Sequence, residues 1–291
     1  MKLKTALIIY LLSVFLNAAY RLTNVAQKQL ELIICDVGQG DAILIQSGAT
    51  QVLIDGGPDA AVMHCLGKHM MRFDRVIELV VVTHLDSDHI AGLIPVLSTY
   101  QVNKLMIGDE SKETDDFNDL EQLVQAKKRL GMGLIKPVHG TEIVLGKARK
   151  IQVINIFSEN ILQDSGISEL KRTATINDRS IGLLLVCDQA KAVLMADIEE
   201  RVEQAMVSFN LLDDVNLLKV GHHGSKSSTS EALVRATRPE ISAISVGKNN
   251  HFGHPSPQVI SRLLEYGSTV LRTDQEGDLV FRCQADHYQI Q

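Results

Sequence analysis

Residues 81–93 read Val81-Val82-Thr83-His84-Leu85-Asp86-Ser87-Asp88-His89-Ile90-Ala91-Gly92-Leu93. Within six residues, His84, Asp86, Asp88 and His89 offer two imidazoles and two carboxylates. This donor mixture suits zinc, manganese or iron. The apolar run Leu79-Val80-Val81-Val82 leads in as a strand, and Ile90 to Leu97 follows with helical character. In α/β proteins the carboxyl ends of strands open onto the edge where ligands bind. The run therefore predicts an α/β fold with a metal site at a strand end. A merely solvated loop rarely concentrates two His and two Asp among so few other polar side chains.

Outward from this run, strands and helices alternate. Leu30 to Val37, Ala42 to Gln46 and Val52 to Ile54 are short apolar runs between Gly-rich turns and read as a meander. Helices are expected over Ala60 to Arg72 and Asp116 to Leu130, with a strand at 77–82. Further strands are expected near 133–137, 142–145 and 151–157, and the polar stretch 158–176 reads as a loop or flap. The second half repeats the logic. Ile181 to Cys187 and Ala192 to Met195 read as a hairpin, Val215 to Val220 and Ile241 to Val246 as strands. Glu199 to Phe209, Ser230 to Thr237 and Pro257 to Tyr266 read as helices, and strands near 269–272 and 278–282 close the chain. Such alternation in both halves predicts two facing sheets covered by helices in one domain over 29–291.

Three further sets of candidate ligands end strand-like runs. Gly221-His222-His223-Gly224-Ser225 follows Val215 to Val220. Asp197 follows Ala192 to Ala196, where it could bridge two metals or cap the helix that begins near Glu199. Asn249-Asn250-His251-Phe252-Gly253-His254-Pro255 follows Ile241 to Val246, and His254 could be a ligand or a substrate-side group. The turns Asp36-Val37-Gly38-Gln39-Gly40-Asp41 and Ile54-Asp55-Gly56-Gly57 read as structural, with Asp55 bonding backbone amides beneath the ligand loop. No Gly-rich loop with Lys and Ser/Thr opens a helix, which argues against nucleotide hydrolysis of the P-loop type.

Composition sets outer bounds. The 291 residues are 45% hydrophobic and 22% charged, an ordinary globular balance. A net charge of −6 gives no global attraction to polyanions. Cys35, Cys65, Cys187 and Cys283 lack metal-type spacing; for Cys35, Cys187 and Cys283, in strand-like runs, buried free thiols are the expectation, and although four cysteines would permit two disulfides in an oxidising compartment, nothing in the spacing argues for them. Residues 1–22 begin with Lys2 and Lys4, continue as the apolar run Ala6 to Leu16, and lack a good cleavage site. They read as a secretory signal or a retained N-terminal membrane anchor, placing the domain in a secreted, periplasmic or outer-face location. A packed N-terminal helix is the alternative.

Read in order, these pieces resemble the metallo-β-lactamase superfamily, and within it the C-terminal domain of the ComEC competence-protein family. The resemblance is carried by Asp36-Val37-Gly38-Gln39-Gly40-Asp41, Leu53-Ile54-Asp55-Gly56-Gly57 and Thr83-His84-Leu85-Asp86-Ser87-Asp88-His89. It continues through Asn177-Asp178-Arg179-Ser180, Ala196-Asp197-Ile198-Glu199, His222-His223-Gly224-Ser225, Gly253-His254-Pro255 and Thr273-Asp274 with Gly277. It implies an αββα sandwich with a metal site at one edge, and a nuclease-like or other phosphoester hydrolase. Many superfamily members carry a His where this chain has Asp86, and another near the position of Asn177 and Ser180. This leaves one metal position short of imidazole and favours manganese or a mixed site over dizinc. Without a multi-span membrane region, the chain reads as a stand-alone relative, and a role in DNA uptake is not carried over.

The combined reading is a phosphodiesterase or nuclease holding one or two divalent ions, manganese or zinc. His84 and Asp86 would hold one metal and Asp88 and His89 the other. Asp197 would bridge them, and His223, preferred over His222, would complete the second site. Asn177, Ser180 and His254 would face the substrate. Lys226 with Ser225, Ser227 and Ser228, and also Arg179, are candidate phosphate contacts. The rivals are a lactone or amide hydrolase on the same site, and a DNA- or partner-binding protein with little turnover.

Overall fold

A computed structural model of the protein describes residues 13, 29–158, 161 and 165–291. The signal or anchor expected over 1–22 lies outside the described residues, Ser13 apart. Among the described residues, no helix is long and apolar enough to cross a membrane.

The sheets form because short apolar runs can be buried on both faces. In β1 (Glu31–Ile34), β2 (Ile43–Ser47), β3 (Thr50–Ile54) and β4 (Val76–Val81), alternate residues point to different layers. Leu32, Ile34, Ile43, Ile45, Val52, Ile54, Leu79 and Val81 enter the core between the sheets. Ile33, Leu44, Leu53, Ile77 and Val80 face the other way, into a second core beneath helices. Burial on both faces explains runs such as Ile43-Leu44-Ile45, where the polar half of a strand's alternation is missing.

β5 (Gln101–Met106), which the sequence pattern did not mark, and β6 (Gly133–Ile135) extend this sheet in parallel. At its far side β14 (Leu279–Cys283) and β15 (Tyr288–Ile290) join β1 antiparallel, giving the order β15-β14-β1-β2-β3-β4-β5-β6. β5 hid because Gln101, Asn103 and Lys104 break up its apolar residues.

The second sheet mirrors this plan. Antiparallel β7 (Glu142–Gly146), β8 (Arg149–Ile154), β9 (Gly182–Cys187) and β10 (Ala190–Leu194) lead into parallel β11 (Leu217–Lys219), β12 (Ile241–Ile244) and β13 (Thr269–Arg272). Helices α1 (Ala61–His69), α2 (Ser87–Ile90), α3 (Leu93–Thr99) and α4 (Asp115–Arg129) belong to the first half. Residues of α1, α3 and α4 pack on the outer face of the first sheet. α5 (Ser165–Thr173) lies inside the stretch expected to be loop. α6 (Glu200–Ser208), α7 (Glu231–Thr237) and α8 (Pro257–Glu265) cover the second sheet, and α9 (Thr273–Glu276) follows β13. The result is the expected αββα sandwich of two mixed sheets.

The cysteine expectation is overturned. Cys35 pairs with Cys65 and Cys187 with Cys283. Spacing could not reveal this, because each bridge joins elements far apart in sequence. Cys35, after β1, meets α1, whereas Cys187 on β9 meets Cys283 on β14 and ties one sheet to the other. In the chain-entropy limit, the 96-residue separation stabilises by about 4–5 kcal/mol and the 30-residue one by about 3–4 kcal/mol. In non-reducing urea denaturation, the pair Cys187→Ser/Cys283→Ser should therefore lose more stability than Cys35→Ser/Cys65→Ser. The opposite order would mean that the inter-sheet bridge does not constrain the unfolded chain as proposed.

Candidate metal centre

Each ligand segment leaves the carboxyl end of a strand. His84 follows β4, Asp197 follows β10, His222 and His223 follow β11, and His254 follows β12. Because β3 to β6 run parallel, as do β10 to β13, these ends gather at one edge where the sheets face each other.

Two-sided geometry results. Asp197 Oδ2 lies 3.8 Å from His84 Nε2 and 3.7 Å from His222 Nε2, while Asp197 Oδ1 lies 3.4 Å from His89 Nε2 and 3.7 Å from His223 Nε2. Asp88 Oδ2 stands 3.4 Å from His223 Nε2, and Asp86 Oδ2 stands 3.9 Å from His84 Nε2. Three overlapping groups, His84/His89/Asp197, Asp88/His89/His223 and Asp41/Asp197/His223, each place donor atoms within 4.8 Å of one another. His84 Nε2, His89 Nε2, His223 Nε2 and Asp197 Oδ1 are buried without hydrogen-bond partners. Buried polar atoms are rarely left unsatisfied. Three such imidazole nitrogens and a carboxylate oxygen converging on one space, with the His222 imidazole beside the other carboxylate oxygen, fit one or two divalent cations.

The other ring nitrogens are tied down, which selects the tautomer. His223 Nδ1–H donates to the Ser245 carbonyl at 3.0 Å. His89 Nδ1 lies 2.8 Å from Asp55 Oδ2. Thr83 donates to Asp55 through its backbone N–H (2.8 Å) and its hydroxyl (2.6 Å), and that hydroxyl lies 3.1 Å from His84 Nδ1. Asp55 thus bonds one backbone amide, as expected, and also orients the imidazoles of the ligand loop.

Glycines clamp the loop from behind. A Cβ on Gly40 would stand 2.1 Å from Asp88 O, and one on Gly92 would stand 1.9 Å from Gly56 O. Backbone bonds Asp41 N–H to Asp88 O and Gly56 N–H to His89 O use this closeness. Non-glycine residues with positive φ also gather here: Asp55, Ala196, His222 and His223. The conformation is disfavoured for side-chain-bearing residues and is held by bonds such as His222 N–H to Ala196 O.

Burial works against charge in this cluster, but opposite charges largely prevail. Burial depresses the His89 pKa, yet Asp197 and Asp55 raise it well above its ordinary value. His223 is likewise penalised by burial and is raised to about 9 by Asp197, Asp41 and Asp88. His84 goes down to about 4, from burial first and the neighbouring His89 second. Burial opposes ionisation of Asp197, but His223 and His89 hold its pKa well below the usual range. Protons and metal therefore compete for one set of atoms.

The sequence candidates are not equivalent in space. Asp86 sits at the rim, with Lys112 Nζ 2.6 Å from its Oδ1. His222 lies on the His84 side of Asp197, with Nε2 3.7 Å from Asp197 Oδ2 and 3.5 Å from Asn177 Nδ2. Ser180 is buried, its hydroxyl without a partner. The His254 ring is edge-on to His222 at 5.6 Å, and burial together with His222 lowers its pKa. Lys226 is exposed. Asp197 does not cap a helix: the cap position of α6 is Glu199 and carries no side-chain cap bond. Beside His84, a small pocket with Gly108, Glu110 and Arg179 adjoins a cleft of about 600 Å³ that also holds Lys136, Phe157 and Lys171.

Sequence reasoning missed two supporting residues, Lys219 and Glu203, and read Asp41 only as part of a turn. Lys219 is 0% exposed and its Nζ lies 2.7 Å from Asp41 Oδ2, while Asp41 Oδ1 lies 3.4 Å from His223 Nδ1. A lysine in the apolar run Val215 to Val220 was the available signal, since buried lysines demand a partner. Glu203, on α6, accepts from Thr229 N–H and Ser230 N–H and holds the segment after the paired histidines.

These features are those of a known group. The sequence profile of the Metallo-beta-lactamase superfamily matches residues 35–248. The chain belongs to this superfamily. It has a metallo-hydrolase fold, and it resembles ComEC-type competence proteins. It is 29% identical over 274 residues to ComE operon protein 3 of Bacillus subtilis (strain 168), covering 87% of this chain and 33% of the relative. It is 28% identical over 263 residues to Recombination protein 2 of Haemophilus influenzae, covering 88% and 29%. Competence protein ComA of Neisseria gonorrhoeae is 26% identical over 267 residues, with 90% and 34% covered. The chain thus spans about a third of the length of these relatives. Among solved structures, the metallo-beta-lactamase fold protein YhfI from Bacillus subtilis superposes with a TM-score of 0.58 at 14% identity, covering 88% of this chain and 100% of that one. A diphosphatase from the PhnP family gives 0.51 at 14% identity, covering 87% and 98%.

Two outcomes are expected. Asp55→Asn should weaken Mn2+ or Zn2+ affinity about 10- to 100-fold in chelator competition while leaving the fold intact; unchanged affinity would remove Asp55 from the support of His89. Glu203 titrates in the folded protein at about 7, above its ordinary 4.5, chiefly because it is buried. A raised carboxyl pKa means the folded state holds the proton more tightly, so its stabilisation is present below about 4.5 and lost as pH rises through about 7. Urea midpoints of Glu203→Gln should therefore gain on the wild type between pH 5 and pH 8, and a pH-independent difference would contradict this.

Proposed function

We propose that the chain is a metal-dependent phosphodiesterase acting on nucleic acid. The observation that carries the reading is the pair of imidazole sets on either side of the Asp197 carboxylate, with Asp86 and Asp88 adding charge. When bound, two divalent cations supply Lewis acidity and lower the pKa of water towards about 7. His84, His222 and Asp86 would hold one, His89, His223 and Asp88 the other, with Asp197 shared.

Asp88, 34% exposed at its side chain, opens the centre to solvent, whereas His84, His89 and His223 close it from below. Asn177 and His254 flank His222 and would orient the substrate at the entry. Ser180 would act from the adjoining wall. The similarity to competence proteins supports DNA as the substrate class. Both disulfides support residence in an oxidising compartment, in keeping with a signal or anchor over 1–22.

Asp88→Ala should abolish cleavage of single-stranded DNA and of bis-p-nitrophenyl phosphate while the circular dichroism spectrum is kept. Chelator-stripped protein should recover with Mn2+ or Zn2+ and poorly with Mg2+, because the imidazoles suit Zn2+, the carboxylates suit Mn2+, and Mg2+ prefers oxygen ligands and gives up its waters reluctantly. DNA binding should weaken steeply with salt, and Lys226→Glu should impair DNA cleavage more than small-diester turnover. Lactone turnover without DNA cleavage under any divalent metal would replace this reading with a lactonase.

A further inference from the structure

Gly247 to Pro255 carries an aromatic side chain with no place in the hydrolytic reading so far. Phe252 is 70% exposed. Its ring is stacked on His254, with centroids 5.8 Å apart and planes at 27°, and His254 meets His222 edge-on at 5.6 Å. Two ring contacts therefore join the exposed phenyl to the candidate metal centre.

The loop beneath the ring is braced. Asn250 Nδ2 donates to Gly247 O (3.0 Å) and to His254 O (2.7 Å), and His254 N–H donates to Asn250 Oδ1 (3.0 Å). Gly247 N–H donates to Gln39 Oε1, and Ser256 N–H donates to Gly224 O. A Cβ on Gly224 would stand 2.6 Å from Pro255 Cβ, so this loop and the paired-histidine loop are in tight contact. The tip thus holds a large apolar ring in water at a set distance from the metal ligands. Leaving a phenyl in water forgoes its burial energy.

We propose that Phe252 is a stacking platform for a nucleobase of a single-stranded nucleic acid whose backbone crosses the metal centre. The ring is stacked on His254 and still largely exposed, and a flat π-face of this kind accepts any base. The assignment rests on the nucleic-acid reading of the site. It adds a preference for unpaired strands, because a base inside a duplex has no free face to offer.

The test uses the full chain and a short oligonucleotide carrying one 2-aminopurine, whose fluorescence is quenched on stacking. Wild-type protein should quench it, and Phe252→Ala should lose the quench and bind about tenfold more weakly. Phe252→Trp should keep both. An oligonucleotide abasic at the same position should bind wild type and Phe252→Ala equally. Equal affinity of wild type and Phe252→Ala for the base-bearing strand overturns the proposal. An equal loss on the abasic strand also overturns it, because the ring would then only brace its loop. Wild-type cleavage, followed separately, tests the hydrolase reading: quenching without cleavage under any divalent metal removes the nuclease assignment and leaves the stacking site standing. Absence of both removes the two together.

Discussion

The Asp197 carboxylate stands where the carboxyl ends of two sheets meet, with one oxygen towards His84 and His222 and the other towards His89 and His223. His84 and His89 come from the first sheet, and Asp197, His222 and His223 from the second. Neither half alone holds a complete donor set, so the site exists only when the sandwich is closed. The apolar layer between the sheets, built from residues such as Ile34, Ile54, Leu183, Leu194 and Phe281, therefore serves the chemistry by fixing the separation of the ligands. Close-packed interiors transmit small shifts rather than absorbing them, so ligand spacing is tied to core packing.

Around this centre the fold accepts unfavourable local states. His222 and His223 both take positive φ, Lys219 is fully buried, and the unpartnered nitrogens of His84, His89 and His223 converge. Each costs stability in isolation and each sits within reach of the same carboxylates. Lys219 offsets Asp41 at the back of His223, and Asp55 performs a similar orienting role behind His89. The centre thus gathers carboxylates and imidazoles for which protons and a divalent cation would compete. The disulfide between Cys187 and Cys283 joins the two sheets covalently and opposes the separation that would dismantle the cluster.

On the substrate side, the exposed features are spread about the centre. The cleft with Arg179, Lys136 and Lys171 adjoins His84, whereas Phe252 is reached through His254 and His222. Charged side chains of both signs, Asp109 and Glu110 among them, and an aromatic ring thus lie around the candidate metal centre of a chain whose net charge is −6. Local arrangement, and not overall charge, governs what such a surface attracts.

The strand-end position of His84, Asp86, Asp88 and His89 was legible because a local run of donors after Leu79 to Val82 needs no tertiary information. The αββα plan was legible too, because burial on both faces leaves a hydropathy signal in β1 to β4. β5 escaped notice because polar residues interrupt it, and the helix at Ser165–Thr173 because its polar sequence hides a short amphipathic face. Tertiary structure alone decided the partners. It brought Cys35 to Cys65 and Cys187 to Cys283, set Lys219 against Asp41 across 178 positions, and turned His222 towards Asp197. Those pairings depend on strand order and sheet separation, which are properties of the closed sandwich and leave no mark on the spacing of residues along the chain.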